Sequence, residues 1–253
     1  MNTSFSLKNL ITFIYKIFAW FLPKRGGLRI LNYHSVVDNS SEIKDIWSLS
    51  SYKFETHMSF LQENKKVISP YEIDKSIDDS IIVTFDDAYM SIYNKVLPLM
   101  KQLKLPFSIF VITDYVGDPE YLSLEMLMEL DKDPLVTIGS HSKSHKRLTK
   151  CDPKLLEKEV KGSKDFLEDK LGHNVDFFSY PYGACNDFVS DFVKSSGYIF
   201  AFGSKFDINR PSDYSFNLNR CDIWKFDNSN IFEDKLNGYW DWLRFRELLK
   251  PWK

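Results

Sequence analysis

The chain has 253 residues, 43% hydrophobic and 27% charged, with a formal net charge of -2, which suits one large domain with a full core. Near-neutrality without a basic block excludes nucleic acid as the main partner, because phosphate neutralisation needs clustered Lys and Arg. Three scattered cysteines, Cys151, Cys185 and Cys221, exclude a disulfide framework and a thiolate metal site.

An apolar run, Leu10 to Leu22 (LITFIYKIFAWFL), lies between Lys8 and the pair Lys24 and Arg25. It is shorter than the roughly 20 residues needed to span a bilayer, and no small-x-small cleavage site follows it. The pattern fits an amphipathic helix lying in a membrane interface; a terminal helix docked on its own domain is the alternative. The expected division is a membrane-proximal helix over 1–25 and one main domain over 26–253. The basic flank Lys24, Arg25 and Arg29 favours the cytoplasmic side of the inner membrane, or the cytoplasm, for that domain. Export with membrane anchoring is the alternative.

Gly26-Gly27 breaks the helix, and Leu28 to Tyr33 reads as a first strand ending at His34. Ser35 to Ser51 is polar and reads as a loop. Phe54, Met58 and Leu61 share one face of a helix over 52–63, with His57 beside its solvated positions and outside any site. Ser69-Pro70 supplies a cap and a first-turn proline for a short helix. Ile81, Ile82, Val83 and Phe85 then form the kind of apolar run that fills a buried strand.

Asp86 and Asp87 follow at once. Adjacent side chains on a strand point to opposite faces, so the pair can share a site only where the strand has ended and the backbone turns. The alternative is an Asp pair capping the next helix. That helix, Met90 to Leu103, puts Ile92, Val96, Leu99, Met100 and Leu103 on one stripe. Pro106 to Thr113 is the next strand, Leu122 to Leu130 a short helix, and Val136 to Ser140 a strand leading into His141. Asp152-Pro153 caps a helix to about Leu171, closed by Gly172. Val175 to Tyr180 is a strand ending at Pro181-Tyr182-Gly183, followed by a helix from Asp187 to Ser196 and a strand from Ile199 to Gly203. The tail from Asn219 carries Trp224, Trp240, Trp242 and Trp252, for core packing or a cover across the barrel.

Sustained alternation of buried strands and helices predicts an α/β fold with a largely parallel sheet. The units are too few for a regular eight-fold barrel, so a distorted or incomplete (β/α) barrel is expected, with an open sheet as the alternative. Such folds place their chemistry at the C-terminal strand ends, where His34, Asp86, Asp87, His141 and Tyr182 all fall. His141 and His145 are four residues apart, so one helical turn would aim both imidazoles at one point. Two imidazoles and a carboxylate form a facial triad for a divalent ion with open coordination positions.

TFDDAY, GSHSKSH and SYPYG, in this order and on these elements, resemble the three main motifs of the polysaccharide deacetylases, the carbohydrate esterase family 4 or NodB-homology fold. The resemblance covers roughly Arg29 to Gly203. LNYHSV and VLPLMKQLKLPFSIFVIT resemble the branch containing the biofilm poly-N-acetylglucosamine deacetylases, in which the barrel is distorted and the catalytic histidine comes early. The main domain, 26–253, would then be the catalytic NodB-homology domain.

By matching position, the resemblance implies Asp86 as general base, Asp87, His141 and His145 as metal ligands, and His34 as general acid. It implies the backbone N–H of Tyr182 as the oxyanion donor. The implied cofactor is zinc, although oxygen and nitrogen ligands also suit nickel, cobalt or iron. The expected substrate is an N-acetylated amino sugar in a bacterial surface polysaccharide or its lipid-linked precursor. A catalytically silent carbohydrate-binding module and a non-haem iron oxygenase with the same triad are the alternatives. Two departures stand out. Ala88 replaces the usual glycine after the Asp pair, and DFFSYPYG lacks the arginine that orients the base in many members, leaving Arg220 in LNRCD as a substitute from another strand.

Overall fold

The computed structural model describes residues 3–19, 26–38, 45–73, 79–210 and 216–245. Its centre is a parallel sheet built from β1 (Arg29–Tyr33), β4 (Lys66–Val67), β5 (Ser80–Phe85), β6 (Phe107–Val111), β7 (Val136–Ser140), β8 (Phe177–Ser179), β9 (Phe200–Phe202) and β10 (Cys221–Asp222). The spatial order is β10-β1-β5-β6-β7-β8-β9, with β4 also paired to β5. One parallel bridge, Phe202 to Leu218, joins β9 to the segment entering β10. Gly203 N–H to Leu218 O and Leu218 N–H to Ala201 O, both 2.8 Å, hold that last side. The result is the incomplete barrel expected from the alternation.

Side chains alternate across each strand, and the two faces have different jobs. Outward residues such as Leu31, Val83, Phe85, Ile109, Ile138 and Phe178 are buried in the main core, beneath α2 (Ser51–Asn64), α3 (Leu97–Leu103), α4 (Leu124–Asp131), α5 (Pro153–Leu171), α6 (Asp187–Ser195) and α7 (Ser229–Leu236). Inward residues Ile30, Ile82, Phe110, Phe177 and Phe202 form a second, smaller cluster that plugs the barrel. A Cβ on Gly139 would lie 2.6 Å from the Phe110 ring, so only glycine there lets that ring enter the plug. One step further along the same strands the inward positions turn polar: Asn32, Thr84 and Ser179, all buried. The apolar plug thus forms a floor, and the polar layer above it the base of a site.

Three local expectations need correction. The segment 35–51 is more than a loop: β2 (Ser35–Val37) and β3 (Ser48–Ser50) pair as a small parallel sheet, too short to show in the alternation pattern. The helix expected over 90–103 begins instead as a π-helical segment, Ile92–Val96, before α3. Pro98 in the first turn of α3 has no N–H to donate back to Asn94, and a widened turn absorbs that missing bond. His57 is not solvated. It is 1% exposed, stacked 3.9 Å from the Phe232 ring, and remains outside the cavity.

The tail packs as expected over its described part. Trp224 and Trp240 are buried and meet edge to face at 5.9 Å. Arg29 at the start of β1 holds Asp241 through two bonds of 2.9 and 3.0 Å. Trp252 lies outside the described residues, as does the junction 20–25 between the N-terminal helix α1 (Thr3–Ala19) and the main domain.

Candidate active site

A cavity of about 300 Å³ opens at the C-terminal ends of the strands and is lined by His34, Asp86, Asp87, His141, His145 and Tyr182 together. All six residues expected from the sequence converge there. The Asp pair does so because β5 stops at Phe85. Asp86 N–H still donates to Tyr33 O at 3.0 Å, and then Asp87 and Ala88 turn left-handed, with φ of 72° and 61°.

Ala88 is therefore a non-glycine residue where the turn demands positive φ. The left-handed region costs such a residue about 1–2 kcal/mol. A glycine would relieve that cost but lose a buried methyl, worth about 0.8 kcal/mol, and add about 0.5–1 kcal/mol of unfolded-state entropy. These effects nearly cancel, which explains how alanine is tolerated. Ala88→Gly is expected to leave stability within about 1 kcal/mol, whereas Ala88→Val, branched and buried, should cost about 2 kcal/mol or more. Thermal unfolding of the two variants checks the pair.

Asp86 is buried and held by Arg220, whose Nη1 and Nη2 donate to Oδ1 and Oδ2 at 2.8 and 2.7 Å. Arg220 is itself 1% exposed and fully engaged. Its Nε donates to Gly203 O at 2.6 Å, Nη1 to Asn32 Oδ1 at 3.0 Å, and Nη2 to Ser179 Oγ at 2.8 Å. The arginine missing before the third motif is thus replaced from the residue preceding β10. Burial alone would raise the Asp86 carboxyl, but Arg220, with His141 and His34, holds it well below the usual carboxylate range.

His141 extends β7 by donating N–H to Val111 O at 2.8 Å. Its Nδ1 lies 2.8 Å from Ser179 O, and only a protonated Nδ1 can bond a carbonyl. That fixes the tautomer and leaves the Nε2 lone pair facing the cavity. His145 arrives differently from the expected helical turn. Residues 141–147 are irregular, and left-handed Ser142 and His145, with φ of 63° and 56°, fold the loop back until the two rings are 4.9 Å apart. A left-handed pair is not visible in the HxxxH spacing.

Both Nε2 atoms lie 3.6 Å from Asp87 Oδ1, which is buried without a hydrogen-bond partner. One ligand atom from each residue falls within 4.8 Å of the others. Bond lengths of about 2.0–2.2 Å at tetrahedral angles set ligand atoms about 3.3–3.6 Å apart, which the two 3.6 Å separations meet. Burial pushes His141 down to about 3 and also lowers His145, so both rings are neutral, as ligands must be. Burial and then Asp86 push Asp87 up to about 7, a conflict that a cation between the three groups removes. The residues present fit a divalent ion.

His34 follows β1 and packs its ring 4.8 Å from Trp47. Burial lowers it to about 4, and its Nδ1 has no partner. Tyr182 sits in a turn with φ 61°. The bonds closing that turn are Gly183 N–H to Tyr180 O and Ala184 N–H to Pro181 O, and none among the described residues uses the Tyr182 N–H. Asn32, Trp47 and Asp222 also line the cavity and were not singled out from the sequence. Two of them had a signal: Asn32 precedes His34, and Asp222 follows Arg220, by one strand period of two residues. Asn32 Nδ2 bridges Asp86 Oδ2 and Asp222 Oδ1, each at 3.2 Å, and burial pushes Asp222 up to about 6.

The family model for polysaccharide deacetylase matches residues 74–201. The chain belongs to the polysaccharide deacetylase family. The matched stretch contains Asp86, Asp87, His141, His145 and Tyr182, while His34 and Arg220 come from outside it. Poly-beta-1,6-N-acetyl-D-glucosamine N-deacetylase of Staphylococcus aureus is 26% identical over 211 residues, 71% of this chain and 72% of that one. A polysaccharide deacetylase from Bacillus cereus, known as a crystal structure, shares 25% identity with a TM-score of 0.73, over 83% of this chain and 69% of its own. A Streptococcus pyogenes deacetylase in complex with acetate shares the fold, with 22% identity and a TM-score of 0.76 over 83% of this chain and 98% of that one. The chain spans 66% to 72% of the length of the curated relatives it matches.

Proposed function

We propose that this family member is a zinc-dependent carbohydrate de-N-acetylase acting on amino sugars of a bacterial surface polysaccharide or its lipid-linked precursor. The observation that carries the reading is a buried carboxylate held ionised by Arg220 in the same cavity as the Asp87, His141 and His145 group. A metal-binding module without catalysis has no use for that first carboxylate, and neither has an oxygenase.

Asp87 Oδ1 and the two Nε2 atoms would hold the ion, whose chemistry is to polarise the acetyl carbonyl and acidify water. Asp86, ionised at neutral pH, accepts the proton of the attacking water. Water oxygen bonds to the carbonyl carbon, and the Tyr182 N–H donates to the oxygen on which negative charge collects. The carbon–nitrogen bond then breaks. His34 is neutral in the free protein, takes up a proton from solvent as that charge develops, and passes it to the departing amine, while Asp86 releases to solvent the proton it took from water. The water hydroxyl stays on the acyl carbon, so acetic acid, ionising to acetate, and a free amino sugar result.

Acetate release measured against polymeric and lipid-linked N-acetylhexosamines is the test. Release should vanish on chelation and return with zinc. Oxygen consumption without acetate would support the oxygenase instead, and sugar binding without turnover the silent module.

A further inference from the structure

Helix α1 is docked the opposite way round from an ordinary surface helix. Lys8, Thr12 and Lys16, spaced by four residues, face the main domain. Trp242 Nε1 donates to Thr12 Oγ1 at 2.9 Å, and Thr12 is 4% exposed. The Lys8 ammonium lies 4.5 Å from the centre of the Trp224 ring. Lys16 bonds Asp234 of α7 at 2.5 Å and lies 5.0 Å from the Tyr239 ring.

The apolar side faces outward as a consequence. Leu10, Ile14 and Ile17 run along one line, flanked by Leu7, Phe13 and Phe18, and all six are between 46% and 67% exposed. A helix packed for water buries such a stripe and shows its polar side. Isolated exposed apolar residues need no explanation, but six in one contiguous face do.

Charge and length choose the occupant. No acidic residue precedes Asp38, while Lys8, Lys16, Lys24 and Arg25 all fall in that stretch. Lys8 and Lys16 are turned to the main domain, so it is Lys24 and Arg25, next to the apolar stripe in sequence, that give this segment its basic flank, and an anionic lipid surface complements an apolar stripe with such a flank. The apolar sequence continues through Trp20, Phe21 and Leu22, yet among the described residues no helix is long and apolar enough to cross a membrane. A helix of this kind lies in the headgroup boundary.

We infer that α1 is a surface anchor whose outward face lies in an anionic bilayer, with the main domain carried on its polar side. Trp242 bonds the anchor, and its neighbour Leu243 lines the active-site cavity. The anchor is therefore joined to the cavity wall, and a membrane-held glycan would meet the site close to the lipid. This placement does not depend on which metal or sugar the site uses.

The test is co-sedimentation of the full chain with phosphatidylglycerol–phosphatidylcholine vesicles and with phosphatidylcholine vesicles alone. The chain should pellet with the anionic vesicles and be released by salt. Ile14→Asp with Ile17→Asp, both outward and so neutral for folding, should weaken partitioning by about tenfold or more. Phe18→Ser is a milder second variant, and thermal unfolding confirms that each folds. Acetate release from a soluble oligosaccharide should be unchanged in all of them. Failure of the parent chain to bind anionic vesicles, or equal binding by the variants, overturns the anchor. So does a dimer that these substitutions dissolve in a chain that ignores lipid. Vesicle binding without acetate release would instead leave the anchor standing and remove the catalytic reading.

Discussion

Asp86→Asn is expected to lower kcat/KM by about a thousandfold or more while the protein still binds one metal ion. Asparagine keeps the shape but cannot accept a proton from water. The three ligand groups are untouched, because Asp86 lies outside the trio: its Oδ2 is 3.8 Å from His141 Nε2 and bonded to Arg220. Stability pays for the change, since the Arg220 guanidinium loses its counter-charge in a buried site, a class of change that costs about 3–5 kcal/mol. Gly203 O, Asn32 Oδ1 and Ser179 Oγ still accept from it, which puts the cost at the lower end. Acetate release, metal content and thermal unfolding measured on one preparation separate these effects. Substantial turnover by a folded, metal-loaded variant would overturn Asp86 as the base.

The strands and most helices were legible because their signals are local. The run Ile81 to Phe85 needs burial on both faces, and the helix between Asp152 and Gly172 carries its own cap and stop, with Asp152 accepting from Leu155 N–H at 2.8 Å and Gly172 left-handed at φ 78°. The triad was legible as residue types at strand ends. The path by which His145 reaches it was not, since left-handed Ser142 and His145 are set by the bonds of the loop. Among these is His145 N–H to Ser142 Oγ at 3.1 Å. His57 was misplaced for a related reason: helical periodicity ranks it as polar, while its stacking partner Phe232 lies on α7, far along the chain. Asn32 and Asp222 had only the two-residue offset from His34 and Arg220 as a sequence signal, and their contact was set when the barrel brought β1 between β5 and β10. That pairing sets Asn32 beside Thr84 on one side and Asp222 on the other.

Arg220→Met gives the sharpest separation of a catalytic from a structural account. Methionine can keep the stem above the Phe110 ring, from which the guanidinium carbon is 5.7 Å away, but it removes the counter-charge of Asp86. Burial, already the largest influence on that carboxyl, is then opposed only by the weaker pull of His141 and His34 and by the Asn32 and Ser179 donors, at 3.2 and 3.3 Å. An adjacent arginine lowers an Asp by about 1–3 pH units, so the acid limb of kcat/KM should move up by about that much. From a starting value well below the usual carboxylate range, that shift brings the limb towards about pH 4, so activity lost near pH 4–5 should return in part towards neutrality. In the parent chain the depressed Asp86 contributes stability above the unfolded carboxylate value of about 4, and this is lost as pH falls through the lower folded value. In the variant the folded value moves back towards the unfolded one, so most of that contribution disappears. The stability gap between the two proteins should therefore be largest near neutrality, about 3–5 kcal/mol, and shrink in acid. Arg220→Lys retains charge but not the two-pronged grip, and should keep the low acid limb while losing part of kcat. If activity in Arg220→Met fell equally at every pH, Arg220 would be supporting the fold alone, and the base would need another source for its ionisation.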